Sequence, residues 1–523
     1  MKDKFYITTA IVYASGKPHI GNVYDMVLAD SIARFKREQG YDVFYLTGTD
    51  EHGEKIEKKA KEAGVTPKEF VDNIAGDVKR VYDLLGISYN RFIRTTDEDH
   101  VKAIQHMFEK MYKQGDIYKD KYEGWYCTPC ESFFTDAQLV DGKCPDCGRE
   151  VYKANEEAYF FKMSKYADRL IEYIKSTDFI VPESRKNEML NNFLIPGLKD
   201  LCVSRTSFKW GIPVTFDEKH VVYVWLDALS NYITGVGYDT ESQTDTFKKF
   251  WPADLHVIGK DIVRFHTIYW PIFLMSLGLP LPKKVFGHPW LLAASVEKDD
   301  GTKMSKSRGN VLYPDKLCDV FGVDGVRFYL LHEMPYDNDG VVSPSLITER
   351  YNTDLANVLG NLISRTIAMI NKYFDGKLEN AKVSDKFDED LYSVVNASLD
   401  KTIKSMDDLK LQDAVDSAFD IFRRCNKYID ETEPWALAKD EAKTDRLKTV
   451  LYNLAVNICK GAKLIYCFMP HTSEKILEMF SVNDISLNDL KDYLIKDGTI
   501  VTKEKENLFS RLELADVESK LES

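Results

Sequence analysis

Two lysines and two serines lie close together in the sequence KMSKS at residues 303–307, between Gly301 and Gly309. A lysine ammonium is a compact charge with three hydrogen-bond donors on a flexible stem, and a serine hydroxyl adds another donor. Such groups stabilise phosphoanhydride oxygens as negative charge grows on them. The stretch therefore predicts a phosphate-binding loop, although a short basic motif of this kind also occurs in solvated loops.

A second stretch, PHIGN at residues 18–22, lies where a predicted strand gives way to a predicted helix. The first turn of a helix presents free N–H groups and a partial positive charge, which together bind phosphate. Two phosphate-binding stretches in one chain favour a shared nucleotide site.

The sequence around PHIGN predicts a parallel α/β sheet. Residues 5–13 alternate, residues 20–35 carry apolar side chains at helical spacing, and residues 42–47 form a second strand pattern. A strand, a helix and a strand in this order make a βαβ unit. Ligands of such sheets bind beyond the carboxyl ends of the strands. His19 and Asp50 both follow predicted strands, so we expect both at this edge.

The remaining pattern predicts that the sheet is interrupted and then followed by helices. Short aromatic and glycine-rich pieces run from residue 118 to about residue 220, and a helical pattern at residues 163–174 lies among them. Strand patterns return at residues 221–225, 255–258 and 285–286. Helical patterns then occupy residues 355–373, 388–406, 411–431 and 444–468. A helical bundle is the natural arrangement of these last segments.

Four of the nine cysteines form the pattern Cys127-x2-Cys130-x13-Cys144-x2-Cys147. Two Cys-x2-Cys turns can close on one tetrahedral zinc ion through four thiolates. The alternative is two disulfides, which would suit a secreted protein. The other five cysteines follow no pattern and are expected to be reduced core residues. Since nothing else indicates secretion, we predict one structural Zn²⁺.

The composition is that of an ordinary globular protein. The chain has 523 residues, 44% of them hydrophobic and 29% charged, and its net charge is −13. This length predicts several domains. The acidic balance argues against indiscriminate nucleic-acid binding but allows a local basic face. Neither a signal segment nor an apolar run of membrane-spanning length is apparent, so we expect a cytoplasmic protein without membrane contact.

Together, PHIGN and KMSKS resemble the HIGH and KMSKS signatures of the class I aminoacyl-tRNA synthetases. Residues 303–307 match the second signature throughout, whereas Asn22 replaces the second histidine of the first. An asparagine can donate a hydrogen bond to phosphate but carries no charge. The resemblance implies catalytic roles for His19, Asn22, Lys303 and Lys306.

Four further matches narrow the resemblance to the methionyl-tRNA synthetase family. They are AIVY at residues 10–13, GTDEHG at 48–53, VWLDA at 224–228 and GKDIVRFH at 259–266. The resemblance implies a methionine pocket in which Asp50 holds the α-ammonium group. The other residues implied to bind methionine are Ile11, Tyr13, Trp225, Ala228, Leu229, Tyr232, Ile262 and His266. Aromatic edges suit a soft thioether, although by composition alone these aromatic residues would be assigned to the core.

The resemblance also implies an ATP site, with Mg²⁺ entering alongside ATP. The residues implied to contact ATP are His19, Gly21, Asn22, Gly259, Asp261 and Lys306. Arg205 is expected to pair with Asp261 when the site closes. The expected reaction joins the carboxylate of L-methionine to the α-phosphate, releases pyrophosphate, and then passes the methionyl group to the 3′ end of tRNA. Positioning and electrostatic stabilisation suffice for such a reaction.

The implied partner is tRNA(Met), including the initiator tRNA, and its anticodon is expected to contact Asn361, Arg365 and Trp435. The expected fold is a Rossmann-type parallel-sheet catalytic domain with a zinc-knuckle insertion, followed by an α-helical bundle. The ranges are 1–117 and 221–295 for the two Rossmann halves, 118–220 for the insertion, 296–354 for the KMSKS loop and stem-contact region, and 355–523 for the anticodon-binding bundle.

Three other interpretations remain open from the sequence. A zinc-ribbon RNA-binding protein without catalysis would use its phosphate loops as RNA contacts, but the acidic net charge weighs against it. A nucleotidyltransferase that activates a small carboxylate without tRNA leaves the helical region unexplained. Class I synthetases for other apolar amino acids resemble longer chains with a separate editing domain, for which the predicted insertion leaves little room.

Overall fold

The computed structural model describes residues 3–127, 132–134, 136–145, 148–295, 298–303, 311–483, 485–504 and 507–522. The KMSKS residues from Met304 onward, including Lys306, lie outside these ranges, and so do Cys130 and Cys147.

The central sheet of the described chain has seven strands, and every pairing between them is parallel. Across the sheet the strands are Val12–Tyr13, Asp42–Asp50, Lys4–Thr9, Leu255–Gly259, Val285–His288 and Ile180–Val181, with Arg91–Arg94 also paired to Asp42–Asp50. Ile7 lies between Tyr45 on one side and Leu255 on the other. The chain therefore leaves the central strand in opposite directions, and this reversal creates a crevice beyond the carboxyl ends of the strands.

Helices cover both faces of this sheet. They are Ile20–Glu38, Glu54–Glu62, Pro67–Leu84, Glu98–Lys113, Val224–Thr234, Asp245–Phe250 and Trp270–Leu277. A 3₁₀ turn at Lys260–Ile262 and a π-helical turn at Phe265–Tyr269 precede the last of them. The helix Trp270–Leu277 is buried, and its proline lies in the first turn, where a missing N–H breaks no helical hydrogen bond.

The insertion is built on an antiparallel sheet of four described strands, in the order Ser132–Phe134, Ile117–Cys127, Tyr152–Phe161 and Leu201–Cys202. A separate pair is formed by Ser204–Arg205 and Val221–Val222. The helical segments here are Asp136–Gln138, Met163–Tyr166, Ala167–Ser176, Glu183–Met189 and Leu190–Leu194. Ile180–Val181 falls within the predicted insertion, yet it pairs with Val285–His288 as an edge strand of the central sheet.

The C-terminal part is helical after a small three-stranded sheet of Lys298–Lys303, Leu291–Ser295 and Gly340–Val342. Its helical segments are Pro314–His332, Pro344–Arg350, Tyr351–Gly360, Asn361–Phe374, Lys386–Asp407, Leu411–Thr432, Pro434–Leu437, Glu441–Lys443, Thr444–Ile465, Pro470–Met479 and Leu514–Glu522. One hydrophobic core continues from the helix Ile20–Glu38 into this bundle. Among the described helices, none is both long and apolar enough to cross a membrane.

The predicted strand at residues 221–225 is wrong. Only Val221–Val222 is extended, it pairs outside the central sheet, and the helix Val224–Thr234 begins directly after it. The run VVYVW contains only apolar and aromatic side chains, so its periodicity does not separate a buried strand from the first turn of a buried helix.

Candidate active site

The PHIGN turn caps the helix Ile20–Glu38, with His19 as the residue before the first helical turn. The backbone N–H of His19 donates to Oδ1 of Asn22 over 3.2 Å, and the backbone N–H of Asn22 donates to the carbonyl of His19 over 2.8 Å. His19, Gly21 and Asn22 are all half-buried. The turn thus lies at the edge of the crevice, where a helix N-terminus attracts anions.

The chain that follows the KMSKS stretch returns to this same turn. The backbone N–H of Ile20 donates to the carbonyl of Leu312 over 2.9 Å, and Nζ of Lys17 lies 2.8 Å from Asp315. Lys303, the first residue of the KMSKS stretch, ends the strand Lys298–Lys303. The described chain just beyond the second signature therefore lies against the first signature.

Asp50 ends a central strand and is 9% exposed. The strand reaches this point because residue 48 is glycine: a Cβ there would lie 1.8 Å from the carbonyl oxygen of Ile93. Tyr13 is the register partner of Asp50 on the neighbouring strand, and the backbone N–H of Ala14 donates to the carbonyl of Asp50 over 2.8 Å. Two implied methionine-binding residues, Tyr13 and Asp50, are thereby adjacent.

Glu51 fixes the loop after Asp50 through a buried side chain. Its fully buried carboxylate accepts two hydrogen bonds from Arg94, at 2.7 and 2.9 Å, and others from Thr49 and Thr96 at 2.6 and 2.5 Å. A paired fork of this kind fixes direction as well as distance. The sequence does not indicate that Glu51 is an anchor, because Arg94 is 43 residues away in the chain.

A second buried anchor joins the same loop to the helix Val224–Thr234. The Asp227 carboxylate lies 2.7 Å from Nδ1 of His52 and 2.7 Å from Nε2 of His100, and Thr234 contacts the other nitrogen of His100 at 2.7 Å. Burial works to raise the pKa of Asp227, but the two imidazoles outweigh it and leave the pKa lowered. Asp227 therefore remains ionised and holds the Asp50 loop against the implied methionine pocket.

Tyr232 and His266 form the polar part of that pocket. The Tyr232 hydroxyl lies 2.7 Å from Nε2 of His266, whose Nδ1 lies 3.0 Å from the carbonyl of Ile262. Burial lowers the pKa of His266 to about 4, so the imidazole is neutral at pH 7. Because a carbonyl only accepts, Nδ1 carries the hydrogen and the Tyr232 hydroxyl donates to Nε2.

The remaining implied pocket residues supply apolar surface. The Trp225 ring stacks on Phe265 with centroids 3.7 Å apart and planes 5° from parallel. Ala228 and Leu229 are buried, and Ile11 is half-buried against the same core as Trp225. The structure therefore gathers these residues around the Tyr232–His266 pair on the helix Val224–Thr234 and the turn before Trp270.

Carboxylates border the crevice where the adenosine of ATP is expected. Asp261 follows Gly259, and a Cβ at residue 259 would lie 2.8 Å from Oδ1 of Asp261. Asp25, one turn beyond Asn22, is not among the residues that the sequence predicts for the site. Burial, and then the charge of Asp261, raise the pKa of Asp25 to about 8. The sequence feature that could have indicated Asp25 is an acidic residue on the buried, largely apolar face of the helix Ile20–Glu38.

Arg205 is buried, and its guanidinium lies 3.9 Å from the centre of the Tyr126 ring. It also donates to Oγ of Ser207 over 2.8 Å. Both contacts are with other residues of the predicted insertion, to which Arg205 itself belongs.

Comparison with known proteins identifies the family. The model described as "tRNA synthetases class I (M)" matches residues 5–156 and 150–367, and the model "Anticodon-binding domain of tRNA ligase" matches residues 388–515. Methionine–tRNA ligase of Clostridium acetobutylicum is 56% identical across 100% of this chain and 80% of that protein. The chain belongs to the methionyl-tRNA synthetase family. The Bacillus subtilis methionine–tRNA ligase is 50% identical over 97% of this chain and 78% of its own length.

Solved structures agree with this membership of the methionyl-tRNA synthetase family. A Mycobacterium tuberculosis methionyl-tRNA synthetase in complex with methionyl-adenylate superimposes with a TM-score of 0.92 at 40% identity, covering 98% of this chain and 100% of that one. The apo form of that enzyme gives a TM-score of 0.85 at 37% identity, covering 98% and 99%. The function of this synthetase is the ATP-dependent attachment of methionine to tRNA.

The three implied anticodon residues of the synthetase are all exposed in the helical C-terminal part. Asn361 and Arg365 are exposed one turn apart on the helix Asn361–Phe374, and Trp435 is 41% exposed. A guanidinium nitrogen of Arg365 lies 3.8 Å from Asp430, five residues before Trp435 in the chain. The exposed tryptophan is not a core residue.

Two of the four predicted zinc ligands are described. Cys127 and Cys144 are buried in one small cluster with Phe134. Among the described residues there is no group of three metal-binding side chains, and Cys130 and Cys147 lie outside them.

Proposed function

We propose that this synthetase forms methionyl-adenylate in the crevice beyond the central strands and then transfers methionine to the 3′ end of tRNA(Met), initiator tRNA included. The observation that carries the residue assignments is the His52–Asp227 hydrogen bond of 2.7 Å, because it ties the Asp50 loop to the helix that bears the pocket residues. We assign the reaction to the cytoplasm. The domain limits given by the sequence remain a prediction.

Methionine would be recognised by one charged side chain and by a largely apolar pocket surface. Asp50 would bind the α-ammonium group, since a buried carboxylate forms strong charge-assisted hydrogen bonds with a cation. The thioether would lie against the apolar residues around Tyr232 and Trp225, where sulfur packs well against aromatic edges. The neutral His266 adds no charge, which suits an uncharged side chain.

ATP would lie across the PHIGN turn, with its phosphates toward the helix N-terminus. His19 and the backbone at Gly21 would contact the phosphates. Asn22 uses its side-chain oxygen to cap the helix, so its amide nitrogen is the group that would donate to phosphate. Lys303 and Lys306 would add positive charge, while Gly259 and Asp261 would border the adenosine. Mg²⁺ would enter as the ATP complex and neutralise phosphate charge.

The chemical step needs no side-chain nucleophile. The methionine carboxylate attacks the α-phosphate, the bond to the β-phosphate oxygen breaks, and pyrophosphate leaves. The protein's contribution is to hold the two reactants in line and to stabilise charge on the leaving group. In the second step a ribose hydroxyl of the tRNA 3′ end attacks the methionyl carbonyl, and AMP leaves. Arg205 would move from Tyr126 toward Asp261 when substrates bind.

The test of amino-acid specificity is pyrophosphate exchange into ATP, measured separately with each amino acid. Exchange with methionine alone would support the proposed pocket. Equal or better exchange with leucine, isoleucine or valine would instead favour a synthetase for another apolar amino acid. No exchange with any amino acid would favour the RNA-binding interpretation without catalysis.

One structural zinc ion is proposed at Cys127, Cys130, Cys144 and Cys147. The two described thiols fit this role, since both are buried in the same cluster. Four thiolates fill a tetrahedral site, so the metal would stabilise the insertion and leave no position for substrate. Elemental analysis should find one zinc per chain, and Cys144→Ser should loosen the insertion. Absence of zinc together with four oxidised cysteines would support disulfides.

Asn361, Arg365 and Trp435 are proposed to read the anticodon. Amide and guanidinium groups contact the edges of unstacked bases, and one stacked base contributes about 1–3 kcal/mol. Trp435→Ala should therefore reduce aminoacylation of tRNA(Met) sharply while preserving methionine-dependent pyrophosphate exchange. Leu494→Ala, which removes a 60% exposed side chain, is the control and should change neither activity. Equal loss of both activities in Trp435→Ala would indicate misfolding.

A further inference from the structure

His288, the last residue of the strand Val285–His288, has a role that the sequence did not indicate. Its side chain is 5% exposed, and Nε2 has no hydrogen-bond partner among the described residues. Buried polar atoms in native proteins are almost always paired, with protein, water or ligand. The unpaired nitrogen therefore points to a bound group.

The other ring nitrogen shows what kind of group is missing. Nδ1 of His288 lies 2.8 Å from the carbonyl of Pro289. Because a carbonyl only accepts, Nδ1 carries the hydrogen. Burial lowers the pKa of His288 to about 4, so the ring is neutral near pH 7 and Nε2 has a free lone pair. The missing partner is a hydrogen-bond donor, which excludes an ionised phosphate oxygen.

The ring lies beside the space that Gly259 leaves open. His288 and Gly259 are register partners at the carboxyl ends of adjacent strands. A Cβ at residue 259 would come within 3.8 Å of the His288 ring and 2.8 Å of Oδ1 of Asp261. Tyr24 packs edge-on against the ring, with centroids 4.9 Å apart, and fixes its orientation.

The His288 ring, through its Cε1 edge, and the Asp261 carboxylate thus border one small space, and Nε2 of the ring and the carboxylate oxygens all accept hydrogen bonds. A ligand that fits two neighbouring acceptors has two neighbouring donors. The ribose of ATP offers such a pair on two separate atoms, its 2′- and 3′-hydroxyls, whereas both N–H donors of adenine belong to one amino nitrogen.

Building on the proposed ATP site, we propose that Nε2 of His288 accepts a hydrogen bond from a ribose hydroxyl of ATP. His288 is then a binding residue that distinguishes a ribonucleotide from its deoxy analogues. A deoxy analogue leaves Nε2 buried without a partner, and a site built to bind a hydroxyl rejects a ligand that lacks one.

The experiment is methionine-dependent pyrophosphate exchange with ATP, 2′-deoxyATP, 3′-deoxyATP and purine riboside triphosphate, which lacks the amino group. In the wild type, kcat/KM should fall roughly 5- to 100-fold for one deoxy analogue, the cost of one unpaired buried group. His288→Asn keeps a donor for the Pro289 carbonyl but has nothing at the Nε2 position. Its activity with ATP should fall by a similar factor, and the penalty for that deoxy analogue should disappear. His288→Gln, whose amide oxygen reaches the Nε2 position, should retain part of the discrimination.

Three results would overturn the assignment. The wild type could use both deoxy analogues with the same kcat/KM as ATP, or the His288→Asn variant could keep the full penalty for the deoxy analogue. The third result is a His288→Asn variant that loses discrimination only against the purine riboside analogue. Equilibrium dialysis with methionine shows that each variant is folded. If the wild type shows no methionine-dependent exchange, the proposed function itself fails. If the wild type shows normal exchange and the His288→Asn variant discriminates against the deoxy analogue as the wild type does, only the role of His288 is overturned.

Discussion

At the scale of single residues, we expect Asp50 to be the group whose charge matters most to substrate recognition. It is 9% exposed and held between the Tyr13 strand on one side and the Glu51 and His52 anchors in the loop that follows. A carboxylate in such a position is already oriented before the ligand arrives, so little ordering accompanies binding.

Asp50→Asn should weaken methionine binding roughly 10- to 100-fold, because it removes the charge of a charge-assisted hydrogen bond and keeps the shape of the side chain. Equilibrium dialysis with labelled methionine measures this change. The analogue of methionine without an amino group is the control, and it should bind the wild type and the variant equally. Equal weakening of both ligands would show that Asp50 supports the pocket without contacting the ammonium group.

The sequence predicted candidate site residues, but it did not predict the side chains that support them. Asp50 and His19 were predictable because a strand end and a helix start are local patterns. The anchors of these residues were not predictable, since they depend on pairs such as His52 and Asp227, which are 175 residues apart. His288 was missed for a related reason: its unpaired nitrogen exists only once the strands at Gly259 and His288 are adjacent.

At the scale of elements, the long helices with regular periodicity were predicted to within a few residues. The helix predicted at residues 411–431, for example, spans Leu411–Thr432. The predicted strand at residues 5–13 is interrupted after Thr9 and resumes at Val12, on the far side of its neighbour Asp42–Asp50. An alternating pattern records which residues are buried, but not that a strand changes its partner midway.

The contact between the helices Pro314–His332 and Leu411–Thr432 should make stability depend on pH. Nε2 of His332 lies 2.9 Å from Asp416, and Nδ1 lies 2.7 Å from Glu333. Burial works to lower the pKa of His332, but these two carboxylates outweigh it and raise the pKa from 6.5 to about 9. A raised pKa means that the folded state binds the proton more tightly than the unfolded state does.

The contribution of His332 should therefore be complete below pH 6.5 and disappear as the pH rises through about 9. Urea unfolding of the wild type at about pH 6 and about pH 9.5 should show a loss on the order of 1–3 kcal/mol from this group. His332→Gln, which keeps a hydrogen-bonding side chain without the titration, should remove that part of the difference. The same pH dependence in both proteins would assign the effect to other groups.

At the scale of the whole molecule, Arg327 joins the catalytic part to the helical bundle. It is fully buried on the helix Pro314–His332. Its guanidinium lies 2.7 Å from Asp30 and donates to the carbonyl of Leu85 over 3.1 Å on the catalytic side. On the bundle side it donates to the carbonyls of Phe468 and Cys467, over 2.9 and 3.3 Å. A single side chain thus satisfies acceptors from both parts of the molecule.

Arg327→Met should destabilise the synthetase by about 3–5 kcal/mol, because it leaves the buried Asp30 short of positive charge and three carbonyls short of donors. The measurement is the midpoint of urea unfolding. Arg80→Met is the matched control: the Arg80 side chain is 53% exposed, so this change should cost no more than about 0.5 kcal/mol.

A double variant separates the charge of Arg327 from its packing. Asp30 keeps a hydrogen bond of 2.8 Å from Arg34 when Arg327 is replaced. The free-energy cost of burying the Asp30 charge is then only partly offset. Adding Asp30→Asn to Arg327→Met should therefore recover at least about 1 kcal/mol, since the uncompensated charge is gone. If Asp30→Asn instead lowers the free energy of unfolding further, as it would at an independent site, then the Asp30 carboxylate does not need the charge of Arg327. The junction would in that case be held by the continuous apolar core alone.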